Sequence, residues 1–89
     1  MTKKAIATEK APAALGPYSQ AISVNGTVYV SGQLPIDPAT GEFATTDIQG
    51  QTRQSLTNIQ AILAEAGLDM SNVVKTTVLL DNIDDFAAM

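Results

Sequence analysis

The sequence predicts an α+β domain: a small antiparallel sheet with one long helix lying across it. Three observations carry that expectation. An Asn25-Gly26 pair separates two β-rich runs, a helical repeat of apolar residues is sustained from Ile48 to Ala66, and β-branched residues return at 73–80. Eighty-nine residues are enough for one modest core and too few for two. With 45% hydrophobic and 16% charged residues, the chain is apolar enough to fold.

Taken in order, "KAIAT" (4 to 8) is expected as a short edge strand, and residues 9 to 17 as a loop, because Pro12, Gly16 and Pro17 forbid regular structure there. Strands are expected at 19 to 24 and 27 to 33, joined by a type I′ turn whose two positive φ angles suit Asn-Gly. "LPIDPATGEF" (34 to 43) holds two prolines, a glycine and an Asp-Pro, and reads as an irregular loop. Next comes the helix, with a stripe through Ile48, Thr52, Leu56, Ile59, Leu63 and Ala66 that Ile62 widens. Thr46 and Gln49 fit a capping box at its start and Gly67 a stop at its end. "VVKTTVLL" (73 to 80) reads as a strand, and residues 81 to 89 as a turn opening a second helix, its first turn acidic through Asp81, Asp84 and Asp85. The chain stops inside that element, so the sheet is expected to leave edges for partner chains or further residues to cover.

Composition narrows the function. The net charge is −4, and the five basic residues (Lys3, Lys4, Lys10, Arg53, Lys75) are scattered, which argues against a nucleic-acid partner. Without cysteine or histidine there is no disulfide, no thiol nucleophile, no Ser-His-Asp triad and no usual zinc ligand, so no metal is expected. No signal-peptide run follows Lys3 and Lys4, and no stretch nears the ~18 apolar residues of a membrane span. A cytoplasmic protein without a membrane partner is the expectation.

Three clusters could carry chemistry. In Gly16-Pro17-Tyr18, the proline presets its own φ and restricts the glycine, delivering a phenol at a defined angle, although a strand-start tyrosine also serves as packing. Ser31-Gly32 ends a strand, where a glycine lets a ligand approach the backbone, but ordinary turn chemistry is the simpler reading of the pair. The carboxylates Asp37, Glu42, Asp47, Asp81, Asp84 and Asp85 read most simply as turn formers, helix caps and solvated charge, and Arg53 as a solvated helix residue.

Four blocks, "KAPAALGPYSQAI", "VSGQLPIDPATGE", "QTRQSLTNIQAILAEAGL" and "VVKTTVLLDNIDDFAAM", together resemble the Rid (reactive intermediate deaminase) family, earlier labelled translation-initiation inhibitors or L-PSP endoribonucleases. The resemblance implies a chorismate-mutase-like α+β fold with a sheet backed by helices, assembled as a homotrimer with clefts between subunits. It also implies a cofactor-free hydrolase that converts reactive 2-imino acids to 2-oxo acids and ammonia. Tyr18, Ser31 and Gly32 match the family's substrate-binding positions. By the same resemblance the domain spans residues 1 to 89 and lacks the family's C-terminal helix end and two strands, which supply a carboxylate-binding arginine and a glutamate.

Overall fold

The computed structural model describes residues 2–89. Strands β1 (Lys3–Ile6), β2 (Ala21–Val24) and β3 (Thr27–Val30) form an antiparallel meander with β2 at its centre. Ile6 pairs with Ala21 and Ala21 with Val30, so the three side chains stand in one row on one face of the sheet. Asn25 and Gly26 have φ of 51° and 78°, the positive pair that lets a two-residue turn follow the twist of the strands.

All three strands are shorter than expected, for a physical reason. The edge strand was expected at 4 to 8, but the Thr8 N–H donates to the Gln20 side chain at 2.6 Å, which draws the chain off the sheet after Ile6. At the other end of the hairpin, one further bond, Ser31 N–H to Gln20 C=O at 2.9 Å, continues past the last ladder pair before the chain turns away. The segment expected to be irregular is instead a miniature hairpin. Ile36 and Phe43 form a bridge, closed by Asp37 N–H to Glu42 C=O at 2.8 Å and Ala44 N–H to Pro35 C=O at 3.0 Å. Within it the Asp37 carboxylate accepts from the Ala39 N–H at 2.8 Å, the turn role its residue type suggested.

Helix α1 spans Ile48–Glu65, and its start corrects the sequence expectation. Asp47, and not Thr46, is the N-cap: its carboxylate accepts from the Gly50 N–H at 2.9 Å and from the Thr45 hydroxyl. A charged acceptor also complements the positive end of the helix, so aspartate outcompetes the neighbouring threonine. The stop is as expected, with Gly67 N–H to Ala64 C=O at 3.0 Å and Leu68 N–H to Leu63 C=O at 2.8 Å forming a Schellman closure.

The buried face of α1 is rotated from the apolar stripe read in the sequence. Asn58, Ile62 and Leu63 are buried, whereas Leu56 is exposed. Hydrophobic periodicity misses a buried asparagine, because its burial depends on hydrogen bonds that only the folded loop provides. Ile62 meets Ile6, Ala11 and Ala21 in the core, with Val28, Val30, Ala61 and Ala66 packed around them.

Two further expectations are corrected beyond α1. Residues 73–80 are not a strand: they join no ladder among the described residues, and Val74 and Leu79 are 98% and 92% exposed. Their composition suits a strand, but a strand exists only with a hydrogen-bonding neighbour. In place of a second helix there is one 3₁₀ turn, Ile83–Asp85, capped by the Asn82 side chain. Ile83 and Phe86 are exposed there, and a short helix with no packed face does not propagate. No helix among the described residues is long and apolar enough to cross a membrane.

The caps make stability depend on acid. The Thr45 hydroxyl, and after it the Gly50 N–H, hold the Asp47 carboxyl below its ordinary value of 3.8, and Ser71 does the same for Asp69, whose side chain caps a 3₁₀ turn at Met70–Asn72. Folded-state values that are depressed contribute stability above the unfolded aspartate value, and this is lost as pH falls through the folded values. The urea midpoint should therefore decline below about pH 4, and a D47N/D69N variant should decline less steeply over the same window. Equal slopes would show that the caps do not couple to protonation.

Candidate functional site

Tyr18 is set by a three-residue turn. Its N–H donates to the Gly16 C=O at 2.8 Å, closing a γ-turn around Pro17, whose ring holds φ near the value this turn needs. Gly16 has φ of 153°, a backbone course that a side chain would strain, and a Cβ there would lie 3.7 Å from the Tyr18 ring. Thus the two residues before the tyrosine fix its direction. Tyr18 is 52% exposed, and with Ile6, Thr8, Ala13, Ala14 and Gln20 it lines an open cleft of 390 Å³.

Ser31 lies just past β3 and is half-buried. Its N–H donates to Gln20 C=O at 2.9 Å and its hydroxyl to Ser19 C=O at 2.6 Å. With its proton engaged, the hydroxyl can offer a ligand only its lone pairs, so Ser31 is an acceptor toward anything bound beside it. Gly32 is exposed, and a Cβ there would meet nothing within 4 Å, which leaves the backbone open to a ligand. Ser31 and Gly32 do not line the Tyr18 cleft. They are tied to it through the Ser19-Gln20 main chain, so the three predicted site residues form one covalently short, hydrogen-bonded unit with two faces.

Two polar residues that the sequence reading passed over hold this unit in place. Gln20 is buried, and its side-chain amide donates to the carbonyls of Thr8, Ala11 and Pro12 while accepting from the Thr8 N–H. Asn58 is fully buried, donates to the carbonyls of Leu34 and Ile36 at 3.2 and 2.9 Å, and accepts from Gln54 at 2.9 Å. It thereby clamps a second proline-centred γ-turn, closed by Ile36 N–H to Leu34 C=O at 2.8 Å. Arg53 is exposed on α1, in keeping with a solvated role, and among the described residues no three acidic side chains gather as metal ligands would.

The family described as Endoribonuclease L-PSP matches residues 8–89. A RutC family protein of Pyrococcus abyssi is 54% identical over 89 residues, covering 100% of this chain and 70% of its own. A 2-iminobutanoate/2-iminopropanoate deaminase of Capra hircus is 52% identical over 89 residues, again covering 100% of this chain but 65% of its own. Among solved structures, a protein of the conserved Rid family from Yersinia pestis superposes with a TM-score of 0.95 at 49% identity, covering 98% of this chain and 69% of that one. The chain thus spans 65% to 70% of the length of these two relatives.

Proposed function

The chain belongs to the Endoribonuclease L-PSP family, the group that includes the Rid proteins, and from that premise we propose that it hydrolyses small 2-imino acids to 2-oxo acids and ammonia. The observation that carries this reading is the 52% identity, over every residue of the chain, to a protein named as a 2-iminobutanoate/2-iminopropanoate deaminase. The ribonuclease activity in the family's description is disfavoured by the net charge of −4 and by the scatter of the five basic residues.

An imine carbon is already electrophilic, so the reaction needs placement more than a strong base. Water adds to C2, giving a carbinolamine; the nitrogen takes a proton, the C–N bond breaks as the hydroxyl oxygen becomes the carbonyl, and ammonia leaves. In this scheme Ser31, an acceptor only, takes a hydrogen bond from the iminium N–H or from the attacking water. The exposed Tyr18, which lines a different face from Ser31 and Gly32, donates to the substrate carboxylate where copies meet across a cleft, and the open backbone at Gly32 admits the substrate edge. Neither role calls for histidine or cysteine, which the chain lacks.

A homotrimer with these sites in clefts between copies belongs to the same proposal, supported by the exposure of Leu15, Tyr29, Val74 and Leu79, apolar side chains that other copies would cover. The experiment follows 2-iminobutanoate decay with and without the protein, in fractions whose mass is read by sedimentation. Faster decay in the trimer fraction is the expected result. Decay unchanged at micromolar protein in a well-folded trimer would overturn the deaminase reading.

A further inference from the structure

We infer that Gln20 is a positioning residue that holds Tyr18 at the ligand cleft. Its role as a positioning residue for ligand rests on the reading of Tyr18 as a substrate contact, whereas the geometry itself stands apart from that reading. Gln20 and Asn58 are the buried polar side chains among the described residues, and Gln20 is the one that borders the cleft. Its amide is used at both ends. Oε1 accepts from the Thr8 N–H at 2.6 Å, while Nε2 donates to Pro12 C=O at 2.7 Å, Thr8 C=O at 3.1 Å and Ala11 C=O at 3.3 Å.

The four main-chain groups held in this way belong to residues 8–12, which run between the parts of the cleft wall formed by Thr8 and Glu9 and by Ala13 and Ala14. The Gln20 main chain, in turn, accepts from Ser31 and lies two residues from Tyr18. One side chain therefore sets the spacing between the 8–14 wall and the segment before β2 that carries the phenol. On the far side Tyr18 is fixed by the Pro17 turn, so Gln20 supplies the second of its two anchors. An apolar residue of the same volume would fill the space but leave a donor and three acceptors without partners, and the wall would move to find water.

The test uses Gln20→Met, which keeps the volume and removes both polar ends. The chain has two tyrosines, so ¹³Cζ-tyrosine NMR gives two signals, assigned with Tyr29→Phe. In Gln20→Met the Tyr18 signal should shift and broaden while the Tyr29 signal stays in place. In the imine assay Gln20→Met should lower kcat/KM about tenfold, in line with the sensitivity of rate to small misplacements, and should lower it no further in a Tyr18→Phe background. Additive losses in that cycle, or an unmoved Tyr18 signal, would overturn the inference. If the methionine variant does not fold, Gln20→Glu keeps the shape and the acceptor for Thr8 while losing the donors, and it is judged by the same two readouts. If the parent protein shows no turnover, the deaminase proposal falls and the NMR signals alone decide the place of Gln20.

Discussion

Replacing Asn58 with leucine should lower the thermal midpoint by roughly 15 °C, on a destabilisation of about 3 kcal/mol and the 4–8 °C per kcal/mol usual for a domain of this size. Leucine keeps the branched heavy-atom skeleton of asparagine but is bulkier, so no cavity opens and overpacking at this fully buried position adds to the loss of polarity. What is lost is the donor to Leu34 C=O and Ile36 C=O and the acceptor for Gln54. Leu34 C=O keeps the Ile36 N–H, but Ile36 C=O and the Gln54 amide lose their partner, each at about 1–3 kcal/mol where water does not reach, and the apolar gain from leucine returns only part of that. The damage should be local as well as global. Amide exchange at Asp37 and Ala44, whose bonds close the 34–43 hairpin, should accelerate more than exchange at Thr8, which Gln20 holds from another direction. A leucine variant as stable as the parent would mean that the loop carbonyls reach water at no cost, and that Asn58 does not clamp the loop.

That clamp also shows which parts of the molecule could be read from residues alone. The Asn25-Gly26 turn and the Gly67 stop were legible because each is a local conformational demand met by one residue type. The cap was legible in kind but not in place: Thr46 and Asp47 are both acceptable caps, and the choice fell to Asp47, which the Thr45 hydroxyl also engages. Residues 73–80 illustrate the opposite case, for β-branched composition reports fitness for a strand and says nothing about whether a neighbour is present. Of the site, Tyr18 was marked by the Gly16-Pro17 pair that aims it. Gln20 and Asn58 were invisible, since their partners are main-chain carbonyls 8 to 24 residues away and a carbonyl has no sequence signature.

Tyr18→Phe should lower kcat/KM for 2-iminobutanoate by about 10- to 100-fold, because a hydrogen bond to a charged group is worth about 1.5–3 kcal/mol and each 1.36 kcal/mol is tenfold in rate. The fold should hardly change. Tyr18 is 52% exposed, and its ring, which phenylalanine retains, is the part that faces Gly16. The division between kcat and KM then locates the contact. If the hydroxyl grips the carboxylate equally in the ground and transition states, KM rises and kcat holds; if it steadies the water or the forming tetrahedral carbon, kcat falls and KM holds. Ser31→Ala supplies the comparison. It removes both the acceptor and the bond to Ser19 C=O, so it should lower kcat/KM and also unsettle the main chain beside Tyr18. Tyr18→Phe and Ser31→Ala should consequently combine less than additively. Full additivity would mean that the phenol and the hydroxyl act on separate ligands, and the single unit joined through Ser19 would have to be divided into two sites.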